Sequence, residues 1–267
     1  MTDLKSLGLA DWLDRAAAIK PRTEAFIDGR FVPAASGKTF TDISPRDGRP
    51  IAEVAEGDAT DVHRAVAAAR TSFDDRRWSD QSPKDRKRVL LRLSELIRRD
   101  REQLALLESL DVGKPIRDTL SVDVPSCATT FQWYAELIDK VFGEIGPTGP
   151  EALSLVTREP IGVVAAIVPW NYPLIITAWK IGAALATGNS VVLKPASQSP
   201  LSALRLADCT EERLSDGRRA RERDLVDARV TGQGVADGGA RPGDDVQDAV
   251  RQPGFRGKLG EPQGRKR

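Results

Sequence analysis

Histidine and cysteine, the side chains that most readily do acid–base or nucleophilic chemistry near neutral pH, are scarce in this sequence. The chain has one histidine, His63, and two cysteines, Cys127 and Cys209. One imidazole excludes a multi-histidine metal centre and gives no support to a Ser-His-Asp hydrolase. The two thiols show neither metal-ligand nor redox spacing, so no metal site is expected. Cys127 falls near the start of a predicted helix, where the helix dipole would acidify a thiol into a nucleophile. No base stands near it, so a small buried side chain is the favoured reading. His63 lies off the apolar stripe of its own predicted helix and reads as solvated.

The remaining candidates are polar residues just past two predicted strands, and the elements that hold them can be read in order. Residues 161–168 are small or β-branched apolar residues, closed by Pro169-Trp170-Asn171-Tyr172-Pro173. They read as a parallel strand buried on both faces that feeds a helix. Residues 174–187 have helical spacing, Gly188-Asn189 supplies a left-handed stop, and Ser190-Val191-Val192-Leu193-Lys194 is a second strand. Two parallel strands joined by a helix are half of a nucleotide-binding sheet. Ligands of such sheets lie beyond the carboxyl ends of the strands, here at Trp170-Asn171 and from Lys194 to Gln198. On their own, Asn171 also reads as a cap before Pro173 and Lys194 as an ordinary strand-end residue.

Upstream, Leu4, Leu7, Leu9, Trp12 and Leu13 give a loose amphipathic helix, either a docking segment or a frayed terminus. Asp28-Gly29 predicts a type I′ hairpin, and Ser44-Pro45-Arg46-Asp47-Gly48 another turn before a strand at 51–54. Asp58 and Asp61 start a helix with Val62, Ala65, Val66 and Ala69 on one face. Ser82-Pro83 opens a helix whose apolar stripe runs from Val89 to Leu110, ended by Gly113 and Pro115, with its Arg and Lys residues on a solvated face. A third helix is predicted over 124–141, with Phe131, Trp133, Tyr134, Leu137 and Ile138 toward the core. Residues 143–150 form a breaker cluster, and 152–158 read as a strand.

Taken whole, EPIGVVAAIVPWNYPLIITAWKIGAALATGNSVVLKPASQSPLSALRLA resembles the first cofactor-binding segment of the aldehyde dehydrogenase superfamily. FIDGRFVPAASGKTF, SPRDGRPIAEVAEGDATDVHRAVAAAR and LLESLDVGKPI resemble that family's amino-terminal region, so the likeness covers about residues 20–207. TFQWYAELIDKVFGEI, with REPIGVVAAIVPWN, is most similar to the branch that oxidises aminoaldehydes in polyamine degradation, the γ-glutamyl-γ-aminobutyraldehyde dehydrogenases. The resemblance implies an α/β fold, a truncated doubly wound (Rossmann-like) cofactor-binding domain with part of an oligomerisation hairpin. Residues 1–140 would be the amino-terminal part of that domain, 141–160 the hairpin segment through which subunits of a homo-oligomer pair, and 161–207 its first βαβ unit.

The implied function is NAD(P)-dependent oxidation of a small-molecule aldehyde to a carboxylate. Asn171 matches the family's side-chain oxyanion donor, and Lys180 a lysine kept near the active centre. Lys194 matches the residue that hydrogen-bonds the adenosine ribose, and Ile167 and Trp170 match positions that touch the cofactor. Ser197 stands where relatives that prefer NAD place a glutamate. A carboxylate there chelates the ribose diol and repels a 2′-phosphate, so NADP as well as NAD is expected. The segments carrying the family's catalytic cysteine and glutamate have no counterpart, so this chain is expected to be inactive. The alternative is a non-catalytic fragment that pairs with full-length subunits.

Composition, 40% hydrophobic and 30% charged over 267 residues, suits a globular protein of one or two domains. No apolar run approaches the ~20 residues of a membrane span, and the first 20 residues lack a signal-peptide core, so a cytoplasmic protein with no membrane partner is expected. A net charge of +1 argues against nucleic-acid binding, including through GFRGK and GRKR near the end. From 208 to 267 the chain holds 11 Arg and 10 Gly but only 9 Leu, Ile, Val and Phe among 60 residues. That is too little apolar surface to offset ordering entropy, so the segment is expected to be a disordered, non-family tail such as a frameshift would produce. Ending the likeness at 207 would leave strand edges unpaired, including that of 152–158.

Overall fold

The computed structural model describes Leu4, residues 6–215 (backbone alone from 211) and the backbone of 228–230. These elements all fall within the unit Met1–Gly234. Helix α1 (Leu9–Ala18) buries Trp12 in a small cluster with Leu4 and Leu106. Strands β1 (Ala25–Ile27) and β2 (Arg30–Val32) turn on Asp28 and Gly29, whose φ values of 54° and 72° are the type I′ geometry that the dipeptide predicts. Strands β3 (Thr39–Ile43) and β4 (Pro50–Ala55) form a separate ribbon around Gly48.

Helix α2 (Ala59–Asp74) begins at Asp58, whose carboxylate accepts from the Thr60 and Asp61 amides. Buried Asp61 reaches back to the Asp58 amide and also holds the Ala35 amide, tying the preceding loop to the helix. Ala65 and Ala69 are buried, whereas Val62 and His63 are exposed. Ser82 and Pro83 open α3 (Pro83–Arg99). The stripe expected to continue unbroken to Leu110 is divided instead: α3 stops at Asp100 and the chain resumes as α4 (Arg101–Val112). The Asp100 carboxylate pairs with Arg99 and with Arg205 on a distant helix, which fixes the break. Gly113, at φ 76°, ends α4 against Pro45.

A short helix α5 (Ile116–Asp118) and a π-turn (Thr119–Asp123) lead into α6 (Val124–Leu137), which ends in a 3-10 turn (Ile138–Lys140). The buried stripe of α6 runs through Val124, Cys127, Ala128, Phe131 and Ala135. Trp133 was expected on that side, but it sits two residues, about 200°, round from Phe131 and is exposed. The strand expected at 152–158 is shorter, β6 (Ser154–Val156). It is paired rather than bare, antiparallel to β5 (Glu144–Gly146) from within the breaker cluster.

The main sheet contains β7 (Val163–Ile167), β8 (Ser190–Lys194) and β9 (Ala228–Val230), all parallel. Helix α7 (Pro173–Ala186) joins β7 to β8, and α8 (Leu201–Ser215) follows β8. The sheet order is β2-β1-β9-β8-β7. One face, with Ala166, Val168, Val191 and Leu193, packs in the large core with α3, α6 and α7; the other places Val163 and Val192 against Ala65 and Ala69 of α2. Gly188 (φ 85°) ends the crossover. Buried Asn189 then accepts from the Gly162 amide and donates to the Ala184 carbonyl and the Thr187 hydroxyl, fixing where the two strands start.

Three expectations need correction. β8 is buried on both faces, but β7 is the sheet's edge among the described residues, with Ala165 and Ile167 exposed because α2 covers only its first residues. No boundary falls at Asp208: α8 runs through it to Ser215, burying Cys209 and Thr210, and Asp208 pairs with Arg22. Apolar content averaged over 208–267 hid eight residues that continue a helix. A strand also lies at 228–230, against the expectation of a structureless tail. The rest of that tail, 216–227 and 231–267, lies outside the described residues. Among those described, no helix is long and apolar enough to cross a membrane.

Candidate functional site

The site is built where β7 and β8 end. Their register sets Ile167 beside Lys194, and the Val168 amide donates to the Lys194 carbonyl at 3.1 Å. Two loops leave these ends, 168–172 toward α7 and 195–200 toward α8, and the Ser199 hydroxyl donates across them to the Trp170 carbonyl at 3.4 Å. Ile167 and Trp170 are more than half exposed, and Asn171 is exposed directly beyond them. Lys194 is half-buried, and this burial lowers its ammonium below the ordinary lysine value. Its Nζ makes one contact among the described residues, 3.5 Å to the neighbouring Pro195 carbonyl. Ser197 is half-buried and donates to the Gln198 side chain.

The structure thus gathers Ile167, Trp170, Asn171, Lys194 and Ser197 at one end of the sheet. Lys180 is not among them: it is exposed on α7, roughly 10 Å along the helix axis from Pro173. It follows Trp179, which with Thr129, Thr130, Trp133 and Tyr134 lines an open groove of about 570 Å³ between α6 and α7. Gly182 brings these helices together, since a Cβ there would sit 2.7 Å from the Tyr134 ring.

Neither thiol can act as a nucleophile in this arrangement. Cys127 is fully buried and burial holds its thiol well above the ordinary value; Cys209 is pushed up to about 12, first by burial and then by Asp100. Among the described residues no cluster of His, Cys, Asp or Glu could hold a metal ion.

Sequence reasoning missed the residues that position the two loops. Tyr172 precedes α7 in a left-handed conformation (φ 53°, ψ 46°) and makes no side-chain cap. Such a backbone costs about 1–3 kcal/mol and persists only where its surroundings enforce it. Here the Lys114 ammonium lies 4.0 Å from the Tyr172 ring centroid and pairs with buried Asp123. The first-turn amide of Leu174 donates to Glu108, and that of Leu201 in α8 donates to Asp111 at 2.7 Å. Both acids come from α4 and are buried. Burial pushes Glu108 up to about 7, and burial with the adjacent Asp42 carboxylate raises Asp111 well above the usual range. The signal was present: two acids three apart in LLESLDVGKPI, inside an apolar stripe, are a mark of buried polar partners.

The exposed amide, the half-buried ammonium and the exposed apolar side chains lie at the carboxyl ends of parallel strands, where sheets of this plan take their ligands. The model of the aldehyde dehydrogenase family matches residues 31–217, and the chain belongs to that family, matching its amino-terminal part. It is 49% identical over 210 residues to the NADP/NAD-dependent aldehyde dehydrogenase PuuC of Escherichia coli, covering 78% of this chain and 42% of the relative. The γ-glutamyl-γ-aminobutyraldehyde dehydrogenase of Burkholderia cenocepacia superposes with TM-score 0.79 at 49% identity, over 85% of this chain and 45% of that one. An indole-3-acetaldehyde dehydrogenase of P. syringae, solved with NAD+, does so with TM-score 0.79 at 49% identity, over 86% and 45%. The chain spans less than half the length of these relatives.

Proposed function

We propose that this chain supplies the oxyanion donor and the ribose-binding part of an NAD(P)-dependent aldehyde dehydrogenase acting on an aminoaldehyde such as polyamine degradation yields. The observation that carries the reading is the pairing of Ile167 with Lys194 at the strand ends, with Asn171 exposed just beyond. The Asn171 amide donates to the aldehyde oxygen as negative charge develops there; an amide does not titrate, so this donor is present at every working pH. The half-buried Lys194 ammonium, held by one long contact to the Pro195 carbonyl, fits a ribose diol as donor, and the exposed Ile167 and Trp170 side chains fit the flat, partly apolar body of a dinucleotide. When bound, the dinucleotide supplies the oxidant. Lys180 contributes positive charge beside the groove lined by Trp133, Tyr134 and Trp179, a route for the aldehyde chain. The choice of an aminoaldehyde is supported by the name of the B. cenocepacia relative.

The thiolate that attacks the carbonyl and the base that hydrolyses the thioester are not provided by the described residues, so the chain by itself does not turn over. A second reading has its own support. The β5–β6 hairpin exposes Phe142, Ile145, Leu153 and Leu155, an apolar surface suited to pairing with a full-length subunit in a homo-oligomer. A cytoplasmic setting belongs to the same proposal, in keeping with two free, buried thiols. The test is titration of NAD+ and NADP+ followed by tryptophan fluorescence. Binding of both is expected, with Ser197→Glu weakening NADP+ relative to NAD+ by about tenfold. Binding of neither, or an unchanged preference in the variant, overturns the cofactor reading.

A further inference from the structure

The junction of α4, α7 and α8 buries polar oxygens that lack partners. Glu108 on α4, Thr177 on α7 and Ser202 on α8 are each 0% exposed, and Glu108 Oε2, Thr177 Oγ1 and Ser202 Oγ make no hydrogen bond among the described residues. Other buried hydroxyls of the chain are occupied: those of Ser94, Thr119 and Thr210 each donate to a backbone carbonyl. A buried hydroxyl or carboxylate oxygen is costly to leave unpaired, so a group of them points to a partner. The three converge on one place. The Leu174 amide donates to Glu108 Oε1 at 3.3 Å, which lays the first turn of α7 on the carboxylate. Thr177 follows Leu174 by three residues and shares that face, and a helical side chain leans back over the turn before it. Ser202 opens α8 beside Leu201, whose amide is held by Asp111, one turn along α4 from Glu108. Ser202 also lowers the titration of the Glu108 carboxyl, so its hydroxyl stands beside that group, yet no hydrogen bond joins the two. Polar atoms that face each other without bonding are where a bridging water belongs.

We infer that the junction binds an internal water, bonded to Glu108 Oε2, Thr177 Oγ1 and Ser202 Oγ, which ties the starts of both crossover helices to α4. About three polar partners is the ordinary number for a buried water. Water also suits Glu108 in both of its charge states. With Oε1 taken by the Leu174 amide, the proton of the neutral acid lies on Oε2 and needs an acceptor, whereas the ionised acid needs a donor there. A water turns to serve either state; an amide or an ammonium serves only the second. The neighbouring cation is already engaged, since the Lys114 ammonium pairs with Asp123 and lies over the Tyr172 ring. A metal ion does not fit in its place, because no His, Cys, Asp and Glu among the described residues are grouped to hold one.

The test pairs urea unfolding at neutral pH with oxygen-17 water relaxation dispersion, both on the full chain, and compares the parent with Thr177→Val, Ser202→Ala and the double variant. Valine copies the shape of threonine without its hydroxyl, and the two have similar helix propensities. Were the Thr177 hydroxyl dry and unpaired, removing it would raise the urea midpoint. With the water bound, Thr177→Val lowers the midpoint, because the water and Glu108 Oε2 lose a partner. Ser202→Ala lowers it as well, and the two losses add to less than their sum in the double variant, because both release the same water. Oxygen-17 relaxation counts long-lived internal waters without interference from hydroxyl protons, and its dispersion amplitude should fall by one water from the parent to the double variant. Should the double variant fail to fold, Thr177→Val supplies both readouts, with the same loss of one water. A midpoint raised or unchanged by Thr177→Val, fully additive losses, or an unchanged dispersion amplitude overturns the proposal. None of these readouts depends on cofactor binding or turnover, so this inference and the proposed function can fail separately.

Discussion

Glu108 makes the positioning of α7 sensitive to pH, and the sign can be worked out. Its carboxyl ordinarily titrates near 4.5 and in the folded chain is pushed up to about 7, burial being the largest cause. Between those values the folded state holds the proton and the unfolded state does not, so stability falls as pH rises through the window. The contribution is complete below about 4.5 and lost above about 7, and the gap corresponds to roughly 3 kcal/mol. Asp111 and Asp42 are raised as well and tilt the whole-protein curve in the same direction, while Asp123 and Lys114 also act on Glu108. The comparison that isolates Glu108 is Glu108→Gln, whose amide oxygen can still accept from Leu174 and carries no charge. Urea unfolding from pH 4 to 8.5 should find the variant equal to the parent near pH 4, below the window. Above pH 7.5 it should be more stable by as much as about 3 kcal/mol. Parallel stability curves for the two proteins would refute the buried-acid argument.

Asn189→Ala should destabilise the chain by about 1–3 kcal/mol in urea, because the buried Gly162 amide loses its acceptor, while the Ala184 carbonyl keeps the Asn189 backbone amide and the Thr187 hydroxyl. A loss under half a kcal/mol would mean that water replaces the side chain without cost. Purified chain should form no NAD(P)H with aldehydes, and Cys127→Ala should leave that result unchanged. Turnover by the parent that the variant lacks would overturn the assignment of Cys127 as a buried, protonated thiol.

Local chemistry was legible wherever a residue acts on its own neighbours. Asp28-Gly29, the Asp58–Asp61 capping pair, Ser82-Pro83 and the Gly188 stop all lie within a few residues of what they determine, and the β7–α7–β8 unit followed from periodicity. The misses are tertiary. Nothing in the stripe from Val89 to Leu110 announces a break at Asp100, because its partner Arg205 lies 105 residues away. A run of valine and alanine reads the same whether or not a strand lies on its far side, so the edge position of β7 was not visible. The acids of α4 were in plain view, but the amides they hold are 66 and 90 residues downstream. Averaging composition across 208–267 blurred a helix that ends only at Ser215.

The same separation in sequence explains why acids of α4 serve as caps. A helix normally satisfies its first amides with a Ser, Thr, Asp or Asn just before it. Here the residues before α7 and α8 are Tyr172 and Pro200, neither of which caps locally. The caps come from another element, so Asn171 in the loop 168–172 does not cap α7 and is exposed. Glu108 and Asp111, three residues apart on one helix, lie about 4.5 Å apart along its axis. They bind the starts of both crossover helices to a single rigid ruler. The bond from Ser199 to Trp170 then closes the same spacing across the loops. A site whose two halves leave different strands is held in register by a helix that contributes no residue to it.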